Sequence, residues 1–317
     1  RFGKSLLMST FDSYFRGRKD LFKGLAIEKL EKDWTEYPVL HFDLSDIKKG
    51  TVEDFGENVN SSLASMEGEF GIAKTSDNPG TRLKDLVERI YNKTGKQVVL
   101  LFDEYDAPLL TVLHDPERLE TMRTELQSFY SPIKKLDPYL RFVFITGITK
   151  FSQLSIFSQL NNLNNISMLP QYAAMCGITI KELEDNFQEG IAVLAEKYHY
   201  SHKQVIDKLL YHYDGYHFAE DSEGVLNPFS LLSAMNNRKF NNYWFSTGTP
   251  TFLVNMMRKF HTDLTEIDGS KAMQEDFDAP TENMHNVLPL FYQSGYLTIK
   301  DYNPRSGMYT LGYPNEE

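Results

Sequence analysis

Three short, largely apolar runs stand out from an otherwise amphipathic chain. They are Tyr37-Pro38-Val39-Leu40-His41-Phe42-Asp43-Leu44, Val98-Val99-Leu100-Leu101-Phe102, and Tyr139 to Gly147. Each is too short for a free-standing helix and predicts a strand. The middle run holds five apolar residues with no polar one between them, the pattern of a strand buried on both faces of a parallel sheet. The third reads as another buried strand. Between these runs the spacing is helical. Residues 51 to 95 are polar and end in the stripe Leu83, Leu86, Val87 and Ile90, with Gly95 as the stop. A further helix near 117–131 carries acids and bases on one side. At the start, Leu6, Leu7, Thr10, Phe11 and Tyr14 fall at helical spacing.

From Gly177 onward the strand-like runs give way to helical patterns at Ile180 to Phe187, Ile191 to Tyr198 and Ser201 to Tyr213. The boundary is therefore placed near 176, giving an α/β domain over 1–176 and a helical domain over 177–317. Asn227-Pro228-Phe229-Ser230 predicts a capped short helix, and Tyr243-Trp244-Phe245 reads as core. Val287 to Tyr292 predicts a last helix. Tyr296 to Ile299 and Met308 to Leu311 bracket Asn303-Pro304-Arg305-Ser306-Gly307 as a hairpin. Helices followed by a terminal hairpin fit a winged helix.

The chemistry concentrates where the middle strand must end, at Asp103-Glu104-Tyr105-Asp106. Open α/β sheets bind ligands at the carboxyl ends of their strands. An apolar strand ending in Asp-Glu is the Walker B pattern, in which the Asp orders Mg²⁺ and the Glu polarises the attacking water. Alone it is equally well a strand with a solvated acidic end. Gly3-Lys4-Ser5 changes the balance, as the second half of the phosphate loop G-x-x-x-x-G-K-[ST] followed by a helix. Gly3 lets backbone approach phosphate, and the helix start supplies free N–H groups. Lys4 would reach the β- and γ-phosphates, and the Ser5 hydroxyl would join Asp103 on Mg²⁺. Glu104 is the candidate catalytic residue. Asp106 has two readings, a further aid to the metal or a cap for the next helix. Thr146 ends the third strand and is the candidate γ-phosphate sensor, with Thr149 and Lys150 as alternates and a plain Thr-Gly turn as the other reading. Phe151 to Ser167, rich in Ser, Asn and Gln, predicts a surface loop over the site.

Composition narrows the partners. The 317 residues carry a formal charge of -11, which argues against a broad phosphate-binding surface. The single cysteine, Cys176, excludes an internal disulfide and fits a reducing, cytoplasmic setting. No apolar run is long enough for a bilayer span. Tyr211-His212-Tyr213-Asp214-Gly215-Tyr216-His217, and His199 with His202, lack a full ligand set at zinc-like spacing, so a Gly-centred turn with aromatic packing is the better account. The first residue is Arg1 rather than Met, and no terminal element is evident at Glu317. The expectation is that residues precede and follow this sequence. The strand delivering the phosphate loop would then lie upstream, leaving the sheet with a gap or an exposed edge and nucleotide held less tightly.

Four segments together resemble the AAA-ATPase-like family of bacterial proteins. They are Arg1-Phe2-Gly3-Lys4-Ser5, Leu101-Phe102-Asp103-Glu104-Tyr105-Asp106-Ala107-Pro108-Leu109-Leu110, Phe144-Ile145-Thr146-Gly147-Ile148-Thr149-Lys150-Phe151, and Asn242-Tyr243-Trp244-Phe245-Ser246-Thr247-Gly248-Thr249-Pro250. The resemblance implies a P-loop NTPase-type parallel sheet followed by a helical, winged-helix-like second half. It also implies ATP and Mg²⁺ as cofactors, and a site built on Lys4, Ser5, Asp103 and Glu104. Members commonly precede a nuclease-superfamily domain in the same polypeptide, which makes such a domain the expected partner. The nuclease motif itself is not visible here, because Lys300-Asp301 lacks the preceding acids. Arg141 and Arg258 are candidates for an arginine finger by residue type alone. Two rival readings stand beside ATP hydrolysis. One is a non-catalytic interaction scaffold on the same fold. The other is a nuclease using Asp103, Glu104 and Asp106 directly, which lacks the accompanying lysine.

Overall fold

Burial on both faces and pairing along both edges make β2 (Val98–Asp103) the centre of a parallel sheet, flanked by β1 (Val39–Asp43) and β3 (Leu140–Ile145) in the order β1-β2-β3. A computed structural model describes residues 2–47, 50–148, 162–246, 251–263, 265, 267–278 and 287–317. The chain divides into two compact units, Ser5–Asn164 and Arg1–Lys4 with Asn165–Glu317.

In the first unit, every residue of β2 is buried, as its unbroken apolar run predicts. Period-2 alternation puts Val99, Leu101 and Asp103 on one face and Leu100 and Phe102 on the other. The first face receives helix α1 (Lys4–Phe15), whose Met8 and Phe15 cluster with Val39, Val99 and Leu101. Leu6, part of the helical pattern, is instead 71% exposed. On the second face Phe42 stacks on Phe102 at 5.0 Å, and Phe129 of α6 (Pro116–Tyr130) meets Phe42 edge-on at 5.6 Å. A short helix α2 (Ala26–Leu30) comes between α1 and β1 in the chain. β3 departs from expectation. It reads as buried, yet its residues are only half-buried or exposed. Among the described residues it pairs with β2 alone, so its outer edge is open. Among the described residues the three strands are hydrogen-bonded neighbours without a gap.

Helices α3 (Val52–Phe70) and α4 (Pro79–Thr94) have well-made ends. Thr51 accepts a bond from Asp54 N–H at 3.1 Å, and Asn78 accepts one from Thr81 N–H at 2.9 Å. Gly95 closes α4 in the left-handed region at φ 69°, as the Gly stop predicts. Leu83, Leu86, Val87 and Ile90 are all buried. One buried ion pair joins the two helices. Arg82 Nε and Nη2 donate to the two carboxylate oxygens of Glu67 at 2.6 Å each. Helix α5 (Ala107–Val112) follows directly on the acidic end of β2.

Gly80 sits in the first turn of α4, where a Cβ would lie 2.3 Å from the Ser128 carbonyl oxygen. Gly→Ala inside a helix ordinarily stabilises by about 1 kcal/mol. Here the sign should reverse: Gly80→Ala must push α4 off α6 and lower the urea midpoint. A raised midpoint would show that the helices tolerate the extra methyl.

In the second unit, helices Ile180–Asn186, Gln188–Tyr198, His202–Tyr213 and Pro228–Asn237 match the helical patterns and enclose Leu183, Ile191, Leu194 and Leu209. Reciprocal caps at Thr179/Glu182 and Ser201/Gln204 start two of them. A two-stranded sheet pairs β4 (Ile178–Thr179) with β5 (Val225–Leu226). The expected hairpin is present as β7 (Thr298–Asn303) and β8 (Met308–Gly312), extended by β6 (Lys271–Met273) in the order β6-β8-β7. The last helix is Leu288–Gln293. Gly215 forms the foreseen turn at φ +94°, where a Cβ would lie 2.2 Å from the Pro314 carbonyl oxygen. Trp244 is buried beside Phe2, whose ring also meets Tyr216 at 4.6 Å. The side chain of Phe245 lies outside the described residues.

Candidate functional site

The register aligns the polar ends of three strands. Asp43 is the Cα partner of Asp103, and Thr146 follows β3 directly. Asp103 is 4% exposed and Thr146 7%. The Thr146 hydroxyl donates to Asp103 Oδ1, which also accepts the Glu104 N–H at 3.0 Å. Backbone bonds lock the two strand ends together: Thr146 N–H donates to the Phe102 carbonyl at 2.8 Å, and Tyr105 N–H to the Thr146 carbonyl at 3.0 Å. Thr146 and Asp103 are therefore brought together, and Asp103 is presented by a rigid, buried strand.

Glu104 adopts φ +51°, the left-handed region that disfavours side chains with a Cβ. A non-Gly residue held there next to a buried carboxylate is the kind of strain that concentrates at functional sites. Nothing in the sequence signals it, because glutamate carries no preference for that conformation.

The direction of α1 follows from its contacts. Phe15 O accepts the Tyr37 N–H at 2.7 Å, and Arg16 Nη2 donates to the Val39 carbonyl at 3.2 Å. One turn earlier Asp12 Oδ2 lies 3.6 Å from His41 Nδ1. The Phe15 ring meets Phe142 at 5.1 Å, and the Phe11 ring meets Phe144 at 4.9 Å. Going back along the helix thus means going forward along the strands. α1 runs antiparallel to the sheet on the Asp103 face, and its Ser5 end is aimed toward the carboxyl ends of the strands. Ser5 is exposed. Gly3 precedes the helix at φ +97°, and a Cβ there would meet no atom within 4 Å, so conformation rather than space calls for glycine. Lys4 is the first residue of α1 and half-buried, and its charge opposes the burial that raises the Cys176 thiol pKa.

A charge network fixes α1 in this pose. Arg16 donates to Asp12 at 2.7 Å and to Glu69 at the end of α3 at 2.6 Å. Burial pushes the Asp12 pKa up, but the hydrogen bonds to His41 and Arg16 outweigh it and hold the carboxyl below its ordinary value.

Asp106 stands at the start of the next helix, where its capping reading places it. It occupies the N-cap of α5, yet its side chain makes no cap bond. Its carboxylate, fully buried, instead accepts from the backbone N–H of Ile148. Arg141 is the second residue of β3 and packs on the Tyr37 ring at 5.6 Å. It stands about 16 Å along the strand from Thr146, at the other end of the sheet. Arg258 belongs to helix Thr251–Phe260 of the second unit. Thr149, Lys150 and most of the expected loop from Phe151 lie outside the described residues. Among the described residues no group of three His, Cys, Asp or Glu side chains could hold a metal ion, His199 and His202 included. A serine hydroxyl and an aspartate carboxylate are hard oxygen donors of the kind Mg²⁺ accepts, alongside waters and phosphate oxygens. No described helix is long and apolar enough to cross a membrane.

A family model described as Predicted AAA-ATPase matches residues 1–157. A protein of Azotobacter chroococcum mcd 1, described as an uncharacterized protein in the vnfD 5′ region, is 35% identical over 329 residues. The match takes in 100% of this chain and 60% of that protein's length.

Proposed function

Over residues 1–157 the chain belongs to the AAA-ATPase-like family, and from that premise we propose that it binds ATP with Mg²⁺ and hydrolyses it. The observation that carries the reading is the antiparallel run of α1, which aims Ser5 toward the strand ends where Asp103 and Thr146 are bonded. Lys4 and the helix start hold phosphate, Ser5 and Asp103 hold the metal, and Gly3 gives the backbone its approach. Mg²⁺, when bound, neutralises charge on the phosphate oxygens. Glu104 orients the attacking water and accepts its proton, and Thr146 senses the γ-phosphate by turning its hydroxyl proton from Asp103 to a phosphate oxygen.

The parallel sheet with helices on both faces supports a P-loop-type fold, and the helices ending in the β7-β8 hairpin, with β6 paired to β8, support a winged-helix-like second half. The cycle would then drive a conformational change in an attached effector domain, nuclease-like by the family resemblance, in a cytoplasmic setting. The acidic balance favours a protein contact for the wing over nucleic acid.

The metal assignment is tested by Asp103→Asn. Asparagine keeps the acceptor for Thr146 but removes the charge. ATP affinity should lose its dependence on Mg²⁺ while the metal-free affinity stays at the wild-type value. An unchanged Mg²⁺ dependence would take Asp103 out of the metal site. Absence of nucleotide binding by the wild-type protein would favour the interaction-scaffold reading.

A further inference from the structure

We propose that Asp106 is a positioning residue that sets Thr146 on Asp103 by clamping the turn after β3. Its consequence for nucleotide rests on the reading above, but the clamp itself does not. The carboxylate is 0% exposed and reaches across 42 residues of sequence. Both oxygens accept the Ile148 N–H, at 3.1 and 3.0 Å. A bond from a backbone N–H to a carboxylate is charge-assisted and roughly twice as strong as its neutral counterpart. The intervening residue is Gly147, where a Cβ would lie 2.5 Å from Asp106 Oδ1 and 2.6 Å from the Tyr105 ring. Gly147 thus makes room for the carboxylate, and the φ of this glycine is not in the left-handed region. Tyr130, at the end of α6, is buried beside the acid. Burial, and then the Asp106 charge, raise its pKa and keep the phenol neutral.

These contacts hold Thr146-Gly147-Ile148 at successive points. Thr146 N–H and C=O are tied to Phe102 and Tyr105, and Ile148 N–H to Asp106. The end of β2 and the turn after it therefore carry two aspartates with separate tasks. Asp103 receives the Thr146 hydroxyl, and Asp106 fixes the backbone that delivers it. The strained Glu104 stands between them, so the same clamp steadies the segment that presents it.

The test combines amide NMR of the full 317-residue chain without ligand and Mg-ATP titration of Asp106→Asn, Gly147→Ala, Thr146→Val and Asp106→Asn/Thr146→Val. In Asp106→Asn the Ile148 amide proton should move upfield and the Thr146 amide should move with it. Gly147→Ala should do the same from the other side of the contact, and serves if Asp106→Asn does not fold. Asp106→Asn should weaken Mg-ATP binding roughly 10-fold, as loss of an outer-shell partner does. The double variant should be no weaker than the more damaging single one, because both act through one group. A Thr146 amide unmoved in both Asp106→Asn and Gly147→Ala would overturn the proposal, as would affinity losses that multiply in the double variant. Should the wild type bind no Mg-ATP, the nucleotide reading fails, while the ligand-free amide shifts still decide the clamp.

Discussion

Replacing Glu104 by Gln should leave Mg-ATP affinity unchanged and lower turnover by roughly 100-fold or more, the loss expected when a well-placed general base is removed. Asp103 is buried and engaged by Thr146 and by the Glu104 N–H, whereas Glu104 is half-buried and held at φ +51°. That backbone conformation costs a residue with a Cβ about 1–2 kcal/mol, and glycine escapes the cost. Glycine's extra unfolded-state freedom returns about 0.5–1 kcal/mol of it. Glu104→Gly should therefore be at least as stable as Glu104→Ala, with both inactive. Phosphate release that is unchanged in Glu104→Gln would remove this residue from the mechanism. An Ala variant clearly more stable than the Gly variant would remove the strain.

The largest stability effect belongs to the Glu67–Arg82 pair between α3 and α4. Arg82 is 3% exposed and Glu67 6%, and the contact is bidentate. Glu67→Ala strands a buried guanidinium whose further bonds go to Asn60 O at 3.2 Å and Asn60 Oδ1 at 2.8 Å. Breaking such a pair from one side costs about 3–5 kcal/mol. Urea unfolding should show that loss in Glu67→Ala, and Glu67→Met/Arg82→Met should recover most of it, since apolar replacement of both partners removes the stranded charge. A loss below about 1 kcal/mol in Glu67→Ala, as for a surface pair, would mean that the helices open to let water reach Arg82.

Much of the α/β unit was legible because its signals are local. An unbroken apolar run announced β2, and the Leu83–Ile90 stripe with Gly95 announced α4 and its end. The partial exposure of β3 was not legible, because Phe142, Val143 and Phe144 look the same in sequence whether a neighbour covers one edge or two. β6, three residues long with one buried side chain, is too short for any periodicity to register. In the site, the Asp-Glu pair and the terminal Thr could be read from the motif. The Ile148 bond of Asp106 could not: it joins residues 42 apart through a backbone N–H, which no side-chain pattern encodes. The pose of α1 was likewise hidden, since helical spacing defines a face but not a direction.

The central claim is that the helix start at Gly3-Lys4-Ser5 is the phosphate site. Calorimetric titration of Mg-ATP into the wild-type chain and Lys4→Ala tests it most directly. Lys4 reaches phosphate only as a charged donor, and bonds of that kind contribute about 1.5–3 kcal/mol, so the variant should bind roughly 10-fold to 100-fold more weakly. Equal affinities in the two proteins would place the nucleotide elsewhere and contradict the account.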